Sequence, residues 1–404
     1  MFKKISKFKL ALIILIISAA FFRFYRLDYP KTYVFDEVYH AFTAKEYLKG
    51  NKAAWDPWAT PPKGVAYEWL HPPIEKEIMT VSMFILHSTE PWAWRVPGAI
   101  LGILSVFLVF KLAELIFKDR KVALLSAFIF SIDGLVFVQS RTGMNDVYLV
   151  AFSLISVIFF IRQRFLLSAI FLGVAIATKW PGVFLYPIFG YLILRHKLFK
   201  QLPYFVFIPP AIYLLSYLPY FLLGYNWANF IELHRQIWGY QTHLKATHDY
   251  ASPWWSWPLN LYPVWYFVEY KNNMVANIFA SGNPLIFWAG STAIILTLYD
   301  AIKKRAENLL LIVVGFAVFW LPWSISPRIM FLYHFSPSVP FLSMALAYQL
   351  SPLYSSNRKL LFIILGLFLV SFLLLYPMLT GVFLPRDLMQ VFFKSNLTKN
   401  PFGQ

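Results

Sequence analysis

Apolar residues run along this chain in long blocks rather than in alternation with polar ones. Eleven stretches qualify as spans by length and character: 9–24, 96–117, 122–139, 144–161, 165–178, 181–195, 203–224, 284–302, 308–325, 330–350 and 360–381. A helix needs about 20 mostly apolar residues to cross ~30 Å of hydrocarbon, so the pattern predicts about eleven transmembrane helices. The fifth and sixth runs are short and meet at Thr178-Lys179-Trp180-Pro181-Gly182, a polar break that a bilayer tolerates only beside protein or water. After the first run the pattern turns amphipathic. Phe35, Val38, Tyr39, Phe42, Ala44 and Leu48 recur at helical spacing with Lys45, Glu46 and Lys49 between them, which predicts a helix lying along the membrane surface. Residues 73–88 predict a second interfacial or re-entrant helix, opened by His71-Pro72-Pro73.

The fold class that follows is all-α and polytopic, a single membrane-embedded unit. Its parts are a first external loop at 23–95, core spans at 96–224, an aromatic external loop at 225–283, a four-span bundle at 284–381 and an external tail at 382–404. Composition supports lipid as the solvent: of 404 residues 59% are hydrophobic and only 14% charged, against about 25% charged in soluble proteins. The net charge of +17 would suggest nucleic acid in a soluble protein; here it reports topology, and no nucleic-acid partner is expected. Lys3, Lys4, Lys7 and Lys9, with the clusters Lys118/Arg120/Lys121, Arg162/Arg164, Arg195/Lys197/Lys200, Lys303/Lys304/Arg305 and Arg358/Lys359, all fall on one side of an eleven-span threading. By the positive-inside rule that side is cytoplasmic. The expectation is a multi-pass protein of the cytoplasmic membrane with its N-terminus inside and both long loops outside. Ser18-Ala19-Ala20 would pass as a cleavage site, but the threading works with the first span kept as an anchor. The lack of Cys excludes disulfides, thiolate metal sites and cysteine nucleophiles.

Chemistry concentrates in loop 23–95, which holds nine of the nineteen acidic residues. An Asp36-Glu37 pair at a helix start often does no more than offset the helix dipole. Its position facing the outer leaflet, in a loop with His71, Lys76 and Arg95, suits glycosyl transfer from a lipid-linked sugar. A carboxylate there removes a proton from an acceptor hydroxyl while cations stabilise the departing phosphate. Arg141, Lys179 and Arg328 stand at outer span ends, where the positive-inside rule disfavours them, and a lipid phosphate is a fitting partner. Arg95 either contacts the ligand or pairs with Asp36 or Glu37; Asp146 pairs with Arg141 or caps the helix opening at 144. His71, His248 and His334 lack metal-ligand spacing. No cofactor is firmly implied, and dependence on a divalent cation is left open. Trp254, Trp255 and Trp257 read as an interfacial belt or as a platform for sugar and acceptor. Asn396-Leu397-Thr398 fits a glycosylation sequon and is read as accidental.

In its motifs the chain resembles the protein O-mannosyltransferases of the GT-C class, which act on polyprenyl- or dolichyl-phosphate-mannose. Phe35-Asp36-Glu37 is similar to the family's acidic motif, and His71-Pro72-Pro73-Ile74-Glu75-Lys76 to its His-Pro-Pro-Leu-Gly-Lys block. Arg95-Val96-Pro97-Gly98-Ala99, Gln139-Ser140-Arg141 with Asp146, and Lys179-Trp180 match further blocks. The segment from His248 through Trp254, Trp255 and Trp257 to Leu259, then Gly282-Asn283-Pro284 and Arg328-Ile329-Met330-Phe331-Leu332-Tyr333-His334, carry the most specific likeness. Glu75 stands where the block has Gly, Phe335 where Tyr is common, and the β-trefoil domain of eukaryotic members is absent, as in bacterial-type members. The resemblance implies a GT-C fold and inverting transfer of a sugar, mannose in the family, from a polyprenyl-phosphate donor to Ser/Thr hydroxyls of exported proteins. It implies Asp36 as base with Glu37 beside it; His71, Lys76, Arg95, Arg141, Asp146, Lys179, Arg328, Tyr333 and His334 around the donor phosphate; and His248 with the Trp cluster near acceptor and sugar. A secretion translocon or a dimer partner fits the same picture. Two other readings compete: the same fold acting on a glycolipid or cell-wall polymer, and a lipid-linked sugar transporter or flippase. A transporter would place ionisable residues near mid-membrane, whereas this chain keeps them at span ends and in loops. A non-catalytic scaffold would be marked by a damaged acidic pair, and Asp36-Glu37 is intact.

Overall fold

The computed structural model describes residues 6–244 and 246–393; Lys3, Lys4 and the 396–398 sequon lie outside them. Helix α1 (Lys7–Phe24) starts at Ser6, whose hydroxyl accepts from the Lys9 amide at 3.3 Å, a side-chain N-cap. A 3-10 turn at Phe35–Val38 leads into α2 (His40–Leu48), followed by α3 (Ile74–Ile85). These are the two surface helices that the amphipathic pattern predicts. Then come α4 (Pro91–Phe117), α5 (Arg120–Ser131), α6 (Gly134–Gln139), α7 (Asp146–Ile161), α8 (Phe165–Ile176), α9 (Tyr186–Arg195), α10 (Leu202–Ser216), α11 (Leu218–Leu222) and α12 (Trp227–His243). A hairpin of β1 (Val264–Lys271) and β2 (Met274–Ala280) precedes α13 (Pro284–Lys304), α14 (Glu307–Trp320), α15 (Val339–Leu350), α16 (Leu353–Ser356), α17 (Arg358–Thr380), β3 (Leu384–Pro385) and α18 (Arg386–Phe393).

Among the described residues four helices are long and apolar enough to cross a membrane: Pro91–Phe117, Pro284–Lys304, Glu307–Ile325 and Arg358–Thr380. The other expected spans are shorter or broken, so a count of eleven does not follow from length. The reasons are local. The run 122–139 divides at Asp133, whose carboxylate accepts from the Val136 amide at 2.9 Å and starts a new helix, α6. The run 203–224 breaks between α10 and α11 at Tyr217, and Pro219 sits in the first turn of α11, where its missing backbone donor suits a helix start and not a continuing helix. The run 330–350 begins with a 3-10 turn at Leu332–Ser338 before α15 takes over.

Helix α7 is buried along most of its length and packs against α4 and α8, while α5 packs on α15 and α15 on α13. Apolar packing has little driving force between helices in lipid, so polar contacts carry more of the specificity. Asn283, just before α13, donates to the Phe368 carbonyl at 3.0 Å and accepts from the Ser371 hydroxyl at 2.9 Å, tying α13 to α17. The second loop departs from the all-α expectation. Its β1 and β2 are antiparallel around Asn272-Asn273, and Asn272 has φ +53°, as hairpin turns that follow the strand twist require. The short β3 adds antiparallel to β2 through Met274↔Pro385 and Val275↔Leu384.

Candidate active site

Glu37 and Arg95 build the frame. Glu37 is fully buried, and every donor that reaches it is accounted for. Its Oε1 accepts from Arg95 Nε at 2.7 Å, Trp94 Nε1 at 3.1 Å and the Gly143 amide at 2.9 Å; its Oε2 accepts from Arg95 Nη2 at 2.7 Å and the Val34 amide at 2.8 Å. This is the bidentate fork that guanidinium and carboxylate form best. Arg95 spends its remaining donors on the carbonyls of Leu27, Pro30 and Thr32 at 2.9–3.2 Å. The fork therefore staples loop 27–37 to α4. Gly143 lets the backbone come this close, because a Cβ there would sit 3.1 Å from Glu37 Cγ. Phe35 pays for the arrangement with a left-handed φ of +48°, a strained conformation for a large residue. Its ring stacks on Tyr266 at 4.3 Å and 7°.

The frame leaves the neighbouring Asp36 facing a cavity of about 460 Å³. Burial pushes its carboxyl up to about 6; Glu68 and Asp146 add to the rise, and His40 and Lys179 oppose it. His40, Glu68, His71, Lys179, Tyr240 and Arg328 line the same space, with Tyr333, His334 and His248 across it. Lys179 reaches Asp146 Oδ1 at 2.8 Å with both groups buried. His71 is fixed by Glu68, whose Oε1 lies 2.9 Å from both its Nδ1 and its backbone amide. Burial pushes the His71 imidazole down to about 4 despite that carboxylate. Arg328 contacts Gln241 on α12.

A second, narrower space of about 240 Å³ adjoins the first, walled by Trp180, Pro181, Val183, Phe184 and Trp323. His71, Lys179, Arg328 and His334 line both spaces, whereas Asp36 lines only the first. A larger and almost wholly apolar groove of about 720 Å³ lies between α1, α5 and α17; the ionisable groups collect elsewhere.

The structure brings together Asp36, His71, Lys179, His248, Arg328, Tyr333 and His334 from the sequence reading, with Asp146 behind Lys179. It sets others apart. Glu37 is enclosed by its five donors and does not reach the cavity. Arg95 pairs with Glu37, one of the two alternatives open to it. Arg141 does not pair with Asp146, because its Nη1 donates to the Phe22 and Arg23 carbonyls at 2.8 and 2.6 Å, pinning the end of α1; Lys179 takes Asp146 instead. Lys76 is turned inward, donating to the His71 and Pro72 carbonyls at 2.9 and 3.3 Å. The tryptophans form no platform on the cavity. Trp255 is half exposed, Trp254 packs on Trp320 at 5.1 Å, and the fully buried Trp257 lies 6.0 Å behind His334 at 15°. Sequence reasoning missed His40, Glu68 and Tyr240. The i to i+4 spacing of Asp36 and His40, and the three-residue spacing of Glu68 and His71, are the signals that could have found the first two.

Comparison with known proteins returns one family. The profile described as dolichyl-phosphate-mannose-protein mannosyltransferase matches residues 13–232, and that of the C-terminal four-span region of protein O-mannosyltransferase matches 226–392. A polyprenol-phosphate-mannose–protein mannosyltransferase of Mycolicibacterium smegmatis is 26% identical over 90% of this chain and 88% of its own length. In fold, the chain is similar to the Saccharomyces cerevisiae protein O-mannosyltransferase complex bound to its sugar donor, with TM-score 0.82, 16% identity, and 99% of this chain and 94% of that chain covered. It is also similar to Cupriavidus metallidurans ArnT bound to undecaprenyl phosphate, with TM-score 0.60, 15% identity, and 88% and 61% covered.

Proposed function

The chain belongs to the protein O-mannosyltransferase family of membrane-embedded GT-C glycosyltransferases, and from that premise we propose that it transfers mannose from a polyprenyl-phosphate donor to Ser or Thr hydroxyls of exported proteins. One observation carries the reading: two cations, Lys179 and Arg328, stand where the narrower, aromatic-walled groove meets the polar cavity, and the carboxylate of Asp36 lines the cavity alone. A lipid-phosphate sugar has that same sequence of parts. Its prenyl chain suits the aromatic groove, its phosphate the cation junction, and its sugar the cavity.

Asp36 takes the proton from the acceptor hydroxyl as the oxygen attacks the anomeric carbon. The bond from that carbon to the phosphate oxygen breaks, and the phosphate leaves with the electron pair against Lys179 and Arg328. Attack from the face opposite the phosphate inverts the sugar and requires one base. A base with a protonation midpoint near 6 is matched to work near neutral pH, where positioned base catalysis is worth about 10²–10⁴-fold. The positive-inside pattern supports a site on the outer face of the cytoplasmic membrane.

The test is sugar transfer in proteoliposomes from labelled polyprenyl-phosphate mannose to a Ser/Thr-rich peptide, with Asp36→Asn beside the wild type. Labelling lost in the variant supports both the reaction and the base. Donor binding without peptide labelling would move the acceptor to a glycolipid or polymer. Labelling that survives Asp36→Asn would refute the base.

A further inference from the structure

Loop 23–95 contributes a second buried pair that the proposed reaction does not use. His40 opens α2 four residues after Asp36 and shares its cavity. Glu75 lies in the first turn of α3. The two are 3% and 1% exposed, with His40 Nδ1 3.2 Å from Glu75 Oε2. Neither His40 Nδ1 nor the other carboxylate oxygen, Glu75 Oε1, has a hydrogen-bond partner among the described residues, so the two groups meet as neighbouring charges and not through a formed hydrogen bond. A buried carboxylate so poorly served is costly unless cations stand against it, and His40 and Lys76 both face Glu75.

We propose that His40 and Glu75 form a positioning unit in which Glu75 holds the imidazole of His40 protonated, and the resulting positive charge keeps the neighbouring Asp36 ionised. The proposal rests on the reading of Asp36 as the base. Several groups face this pair. Asp36 and Glu68 face His40 as further anions, and the His71 ring lies 5.9 Å away. Burial opposes the charge on His40, but the Glu75 carboxylate and these anions outweigh it and raise the imidazole above its usual range. Asp36 in turn faces Glu68 and Asp146 as anions and Lys179 as a cation, with Tyr39, Tyr240 and Tyr333 nearby. Lys179 is already paired with Asp146 at 2.8 Å, and Arg328 is held at Gln241. His40 is the larger of the two cationic counterweights acting on Asp36.

The experiment is the pH–rate profile of sugar transfer at saturating donor and peptide. It compares the wild type with His40→Gln, Glu75→Gln, the double variant and Asp36→Asn. Each single variant is expected to move the acid limb upward by about 1 pH unit, the scale of an opposite charge near a carboxylate. The double variant is expected to move it no further, and the high-pH plateau to persist in Glu75→Gln, whose side chain does not line the cavity. An acid limb that stays in place while the plateau falls would assign the pair a structural role and overturn the proposal. Glu75→Asp keeps the charge and guards against poor folding of the Gln variants: it should hold the limb at the wild-type position, and a limb moved by a full unit would count against the unit. Transfer that survives Asp36→Asn would instead fail the base reading, a result distinct from either.

Discussion

Glu37→Gln separates two roles for the acidic pair. The amide keeps the shape of the side chain but offers one acceptor oxygen where the carboxylate offers two. Five donors converge on those oxygens: Arg95 Nε and Nη2, Trp94 Nε1 and the amides of Val34 and Gly143. Whichever way the amide turns, its NH₂ group meets at least two of them head-on. The Arg95 guanidinium, 1% exposed, loses its counter-charge. Breaking a buried pair by removing one partner costs about 3–5 kcal/mol, a large share of a net stability of about 5–15 kcal/mol. Thermal unfolding of purified protein in detergent should therefore show a marked loss for Glu37→Gln, with transfer falling because loop 27–37 no longer holds Asp36 in place. Asp36→Asn should abolish transfer with stability kept. A Glu37→Gln protein as stable as the wild type but inactive would refute this reasoning and make Glu37 a participant in the chemistry.

Four further outcomes follow from the geometry. Because burial raises Asp36 to about 6 and the base must be ionised, transfer should fall about tenfold per pH unit below that value and level off above it, as measured by initial rates at saturating substrate. Lys179→Gln and Arg328→Gln should each raise the KM for donor about 10- to 100-fold, the equivalent of one charged hydrogen bond; Lys179→Gln should also lower stability by stranding Asp146. Arg141→Gln should cost about 2 kcal/mol of stability through its lost carbonyl contacts with donor KM unchanged, and a raised KM would return Arg141 to the phosphate. Trp257→Ala should destabilise by about 3–5 kcal/mol, whereas the half-exposed Trp255→Ala should leave both melting and transfer near wild type.

The surface helices at 40–48 and 74–85 were legible in the sequence because amphipathic spacing is a local property. Lys179 and Arg328 were legible because charge at the edge of an apolar run is conspicuous, and Asp36 because it stands in an acidic pair within the charged loop after the first run. What the sequence concealed was partnership. Arg141 and Lys179 look alike as cations at span ends, and only packing decides that one is spent on the carbonyls of α1 while the other reaches the cavity. Glu37 and Asp36 are neighbours in a 3-10 turn, so their side chains point in different directions, one to the frame and one to the cavity. The hairpin at 264–280 was hidden by the aromatic density of its loop, although Val264-Trp265-Tyr266-Phe267-Val268 and the Asn-Asn turn carry a strand signature. The four long helices met the length rule, and the broken ones did not because Asp133 and the prolines interrupt runs whose hydropathy remains continuous.

The junction at Lys179 and Arg328 also bears on traffic through the enzyme. The two spaces share both side chains, so under the proposed reaction donor and spent carrier would set their phosphates against the same cations. Under the proposed reaction, a spent carrier lipid must retreat sideways before a fresh one docks, while the acceptor comes and goes through the polar mouth. The two cargoes would then move in separate lanes and meet at the shared cations. Free polyprenyl phosphate would contend with the donor for those cations, so the supply of recycled carrier in the surrounding bilayer would govern turnover even when acceptor is abundant.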